Sequence, residues 1–186
     1  MRIIKMSKRF IILAICLSGV FVLTNYNFFS KEKEPEKVVL KRKVMVRTIK
    51  KLKKEKNLYC DGFGGFGVKV VEMSALSFVH EGEPYDIDKA RKLLVYAAEV
   101  FLNEFNSFEK IRPYLANYPF TSKNIELRIF FVDDKNHDYF SPNLTTASSI
   151  RGKFFYKMDE NNYYKTVHEE TYEEALAIVN KNNSEK

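Results

Sequence analysis

Between Asp86 and Phe105 the residues Ile87, Ala90, Leu94, Ala97, Phe101 and Phe105 recur at three- and four-residue spacing. That period predicts one long amphipathic helix, capped by Asp86 or Asp88. The segments around it keep a period of two instead. Residues 68–80 set Met73, Ala75, Ser77 and Val79 against Leu76 and Phe78, and Ile125, Leu127, Ile129 and Phe131 alternate with Glu126, Arg128, Phe130 and Val132. Both segments read as strands. Residues 150–158, with Phe154 and Tyr156 on one face, and residues 163–169 read as two more, joined by the turn Asp159-Glu160-Asn161-Asn162. A short helix is expected around Pro113 to Ala116, and a last one from Thr171, where Thr171 and Glu174 form a capping-box pattern. The order β-α-α-β-β-β-α predicts an α+β fold, a mostly antiparallel sheet of about four strands with helices on one face.

Covalent cross-links do not help hold such a fold. The two cysteines are Cys16, inside an apolar run, and Cys60. One cysteine in the folded part forms no intramolecular disulfide, so the domain depends on its core, and Cys60 is expected to be an ordinary buried or half-buried thiol rather than a dimer cross-link or a nucleophile. Sixteen Phe and eleven Tyr, with no Trp, supply the packing material.

The front of the chain carries an address. A basic tip at residues 1–9 feeds the apolar run at 10–23, the pattern of an export signal or a membrane anchor. A helix of that run would be about 21 Å long against a bilayer core of about 30 Å, which favours a signal. The only tolerable cleavage site, Val22-Leu23-Thr24, keeps an uncleaved anchor in view. Cys16 follows Ile15 rather than a small residue, so it reads as part of the run and not as a lipidation site.

Charge divides the chain in two. Residues 1–56 hold 16 Lys/Arg against 4 Glu, and residues 57–186 hold 15 against 20 acidic residues. The reading is therefore a signal peptide or anchor at 1–30, a lysine-rich linker at 31–60, a single domain at 61–180 and a disordered tail at 181–186. An acidic domain argues against nucleic acid as a partner, since gripping a phosphate backbone needs clustered cations. Within the linker, Val38, Met45, Ile49 and Leu52 could share a helical face ringed by Lys41, Arg42, Lys50, Lys53 and Lys54, suited to an anionic membrane surface. Val44, Val46 and Thr48 alternate as well, which leaves a solvated spacer as the other reading.

Four motifs suggest chemistry and fail on spacing or on context. GFGGFG at 62–67 matches G-x-G-x-x-G, but a phosphate loop must follow a strand and open a helix, and here the glycines precede a strand. They read as an elbow between linker and domain, with Phe63 and Phe66 docking on the core or on a partner. HEETY at 168–172 has Tyr172 where zinc needs a second His. DDKNHD at 133–138 continues to Tyr139 where a calcium loop needs Gly. His80 with Glu81 and Glu83 reads as a solvated loop. No metal or cofactor is expected. A hydrolase assembled from loops would draw on His168, Glu169 and Asp133.

The passage IRPYLANYPFTSKNIELRIFF, residues 111–131, resembles a set of small exported bacterial proteins in which a similar IRPYL…NYPFT passage leads into a strand. The likeness covers roughly residues 62–179 and implies a shared domain, with no activity attached. Tyr114, Tyr118 and Phe120 around its two prolines could present an aromatic recognition surface or seal a corner of the core. The functional expectation is a non-enzymatic interaction protein of the bacterial envelope. It would be secreted or held at the membrane through its N-terminal segment, with a protein or another envelope component as partner. The alternative is a small secreted hydrolase.

Overall fold

The computed structural model describes residues 34–184. The basic tip and the apolar run lie outside them. The order is α1 (Glu36–Lys56), β1 (Leu58–Phe66), β2 (Met73–Glu81), α2 (Ile87–Ser107), β3 (Ile125–Val132), β4 (Thr146–Ile150), β5 (Lys153–Glu160), β6 (Tyr163–Thr171) and α3 (Tyr172–Ser184), with short 3-10 turns at Glu109–Tyr114 and Ser122–Asn124.

The fold class is α+β, with a mixed six-stranded sheet in the order β1-β2-β3-β4-β5-β6. Every neighbouring pair is antiparallel except β2 and β3. That pair is parallel because α2 crosses over between them, which a tight hairpin cannot do. Two of the six strands go beyond the expected set. β1 contains three of the four glycines read as an elbow, and β4 is built from Thr146, Ala147, Ser148, Ser149 and Ile150. The expected strand at 150–158 divides at Arg151 and Gly152, both at positive φ, into the end of β4 and the start of β5.

Local capping follows the sequence closely. Asp86 accepts a hydrogen bond from the Lys89 backbone N–H at 2.7 Å and starts α2. Thr171 and Glu174 exchange bonds of 2.7 and 3.2 Å at the start of α3, satisfying N–H groups that the helix itself leaves unpaired. α3 then runs through residues expected to be a tail.

All three helices pack on one face of the sheet. Phe78, Phe101, Phe105, Phe131, Phe154 and Tyr156 are fully buried between the layers. The largest correction concerns the linker. Leu40, Val44, Met45, Thr48 and Leu52 of α1 are buried, and the helix packs against α2 and β1. Tyr114 donates to Glu36 at 2.9 Å, Tyr96 donates to Glu55, and Arg47 and Lys56 lie over the rings of Phe108 and Tyr96 at 4.7 and 4.6 Å. A helix whose apolar stripe enters the core is part of the domain. The compact unit therefore starts at Glu36. Residues 36–186 hold 25 Lys/Arg against 22 Asp/Glu, so no separate acidic body exists and net charge no longer speaks against nucleic acid.

Candidate functional site

The sheet face opposite the helices is uncovered, and its register lines up side chains in rows. One row runs Gly62, Ser77, Arg128, Ser148 and Phe155. The next runs Val79, Phe130, Thr146, Lys157 and Thr166. A third holds Gly64, Ala75 and Glu126. Small residues at neighbouring positions on adjacent strands make a trough, because alternate side chains on each strand point to the same side.

The trough has two lobes. One, of about 300 Å³, is lined by Gly62, Gly64, Ala75, Ser77 and Glu126. The other, of about 260 Å³, is lined by Phe130, Thr146, Ser148, Lys157 and Tyr164. Arg128 and Ile150 belong to both. A Cβ on Gly64 would meet nothing within 4 Å and one on Gly62 would only touch Ser77, so these glycines leave open space rather than relieve a clash.

The side chains of Arg128 and Lys157 make no hydrogen bond or ion pair among the described residues; the Arg128 guanidinium lies 6.0 Å from the centre of the Phe130 ring. The two cations stand two strands apart and two residues out of step, about 12 Å between their Cα atoms by sheet geometry. Between them lie Thr146 and Ser148, both buried. Unpaired cations flanking hydroxyl groups can receive a ligand that carries carboxylate or phosphate groups. Arg128 was legible as an outward residue of its strand. The rest of the site was not, because β4 shows no hydrophobic alternation.

A second polar cluster lies on the helix-covered face. The Arg91 Nε donates to both carboxylate oxygens of Glu170, at 2.8 and 3.0 Å, and its Nη1 bonds Asp88. The Tyr156 hydroxyl donates to Glu170 at 2.6 Å, and His168 Nε2 lies 3.8 Å from the same carboxylate. Burial, reinforced by the neighbouring Glu170 charge, pushes the Tyr156 hydroxyl well above the ordinary tyrosine range. Burial opposes the Arg91 charge, but Glu170 more than restores it. These groups satisfy one another and tie the edge strand β6 to α2.

The expected hydrolase groups do not converge. His168 pairs with Tyr156 in register and meets Glu170, whereas Glu169 belongs to the opposite face. Asp133 follows the end of β3, about 20 Å from His168 by strand count and rise. There it accepts bonds from the Lys135 and His137 backbone N–H groups at 2.9 and 2.8 Å, and these hold its carboxyl below the usual range. His80 is not a solvated loop residue: it is the penultimate residue of β2, half-buried, with Nε2 2.7 Å from the Tyr85 hydroxyl. Among the described residues no cluster of three or more His, Cys, Asp or Glu could hold a metal ion.

The aromatic candidates divide. Phe63 and Phe66 are exposed on β1 and Tyr118 is exposed beneath Arg112. Phe120 is only 2 % exposed and packs on Phe105 at 4.9 Å, so it is core and not recognition surface. Tyr114 is half-buried and spends its hydroxyl on Glu36. Lys41 is half-buried, whereas Arg42, Lys50, Lys53 and Lys54 are exposed on α1; of the stripe expected beside them Met45 and Leu52 enter the core, while Val38 and Ile49 are half-buried. No helix among the described residues is long and apolar enough to cross a membrane.

No protein-family model, curated protein or solved structure matches the chain.

Proposed function

We propose that this chain is a non-enzymatic binding protein of the bacterial envelope, exported or anchored through residues 1–30, whose open sheet face takes a ligand bearing acidic groups. One observation carries the ligand class: Arg128 and Lys157 stand unpaired on either side of the Thr146 and Ser148 hydroxyls. The scatter of the three histidines supports binding over hydrolysis. His80 meets Tyr85 near the end of β2, His137 turns back on Asp133, and His168 belongs to the Arg91 cluster.

The test uses the full chain and two soluble polyanions, polyglutamate and polyphosphate, followed by titration calorimetry. Arg128→Glu combined with Lys157→Glu should abolish binding of whichever polymer the wild type takes, while Lys135→Glu on the distant β3–β4 loop should not. Equal binding by wild type and the double variant would remove the open face as the site. Location is tested separately by cell fractionation, and recovery with the cytosolic fraction contradicts the envelope assignment.

A further inference from the structure

The flank where α1 meets β1 borders the first lobe of the trough, with which it shares Phe63 and Gly64, and carries a pattern of its own. Phe63 and Val68 leave 70 % and 92 % of their surface to solvent, and Val46 and Phe66 are exposed as well. An apolar groove of about 240 Å³ runs between Val38, Met45, Val46 and Ile49 of the helix and Phe63 of the strand. Its lip is cationic. Lys41 reaches over Gly65, where a Cβ would collide with its Nζ and with the Met73 carbonyl.

Lys37 donates to the carbonyls of Gly67, at 3.1 Å, and Val68. Lys53 lies 5.0 Å from the centre of the Tyr59 ring. The Lys41 ammonium makes no hydrogen bond or ion pair among the described residues, and α1 as a whole carries ten Lys/Arg against two Glu. Asp61 is the only acid in β1. Burial, then Lys37, pulls the Lys41 ammonium below the ordinary lysine range, as expected of a cation with no carboxylate beside it.

Exposed aromatic and branched side chains ringed by lysines make up a surface that enters a lipid interface while its cations meet anionic headgroups. We propose that the α1–β1 flank docks on an anionic lipid bilayer, with Phe63 and Val68 in the interface and Lys37, Lys41, Lys50 and Lys53 facing the headgroups. A bilayer is favoured over an acidic protein by what precedes α1. Only residues 24–35 separate it from the apolar run at 10–23, about 40 Å of chain when fully extended. That preference rests on reading the run as a membrane segment. It does not rest on the open-face ligand.

The chain has no Trp, so Phe63→Trp in the full chain is a single fluorescent reporter on a surface position. Tyr163→Trp, exposed on the far edge strand, is the control. Both are mixed with vesicles of brominated phosphatidylcholine, alone or with one part in three phosphatidylglycerol by weight. The Phe63→Trp emission should shift to the blue and be quenched with the anionic vesicles only, and high salt should reverse it. The Tyr163→Trp emission should stay unquenched. Changing Lys50 or Lys53 to Gln in the Phe63→Trp chain should lower the docked-to-undocked ratio about fivefold each.

Adding Arg128→Glu and Lys157→Glu to the Phe63→Trp chain should leave its signal intact, which separates this surface from the ligand trough. Quenching that is absent, equal in neutral and anionic vesicles, or equal for the two reporters overturns the proposal.

Discussion

Arg91 of α2 and Glu170 of β6 form an ion pair of 2.8 and 3.0 Å across 79 residues of sequence, with side chains only 8 % and 5 % exposed. Pairs this deeply buried are costly to break from one side: without Glu170, Arg91 keeps only the exposed Asp88, and the Tyr156 hydroxyl loses its acceptor.

Glu170→Ala should therefore lower the unfolding free energy by about 3–5 kcal/mol, measured by urea denaturation. The double change Arg91→Met with Glu170→Leu should recover most of that loss. Tyr156→Phe, which removes only the 2.6 Å bond to Glu170, should cost about 1 kcal/mol. A Glu170→Ala variant as stable as the wild type would mean the pair does not hold β6 in place.

Membership of α1 in the core is testable at Leu52, which is fully buried. Leu52→Ala should cost about 2–5 kcal/mol, as for other buried leucines cut back to alanine. A chain beginning at Asn57 should fail to show cooperative unfolding. Unchanged urea midpoints in both would return residues 36–56 to the role of linker.

His80 gives stability a dependence on pH. Burial holds its imidazole below the ordinary histidine range, outweighing the Asn57 backbone and Glu81, which favour the charge. Tyr85 and Phe131 pack on the ring at centroid distances of 4.8 Å from each other and 4.9 and 6.3 Å from His80. The unfolded chain thus takes up a proton more readily than the folded one. This contribution is fully present above about pH 6.5 and is lost as the pH falls through the depressed folded value. Urea midpoints should drop between pH 7.5 and 5, and His80→Gln should flatten that drop. Asp133 and Glu174 are held low by hydrogen bonds to their charged forms, so their contribution is lost separately, below about pH 4.5.

Cys60 should react slowly. Its Sγ donates to the Gly62 carbonyl at 3.4 Å, and burial pushes the thiol up, leaving little thiolate at neutral pH. Ellman's reagent should label the native chain at least about tenfold more slowly than the urea-unfolded chain. Equal rates would place the thiol in open solvent.

How much of this was readable depends on where the physical signal resides. The helix at 87–107, both caps and the alternation of β2 and β3 follow from period and local hydrogen bonding, which involve residues a few positions apart. β1 and β4 escaped because glycine, serine and threonine carry almost no hydrophobic alternation; their strand state comes from neighbours that complete the ladder. Phe120, just after Pro119, read either as recognition surface or as a seal on the core, and only the Phe105 ring packed on it decides for the core.

Sequence alone determined the helix, the caps, the outward position of Arg128 and the single cysteine of the folded part. Only tertiary structure decided that the lysine-rich segment belongs to the core. Five buried residues on one stripe suffice to bury a helix whose other residues are mostly charged, and mean composition hides a stripe. Tertiary structure also brought Arg128 and Lys157 to either side of one lobe of the trough and kept His168 apart from Asp133. Which strands become neighbours depends on pairing between distant segments, and no local pattern encodes it.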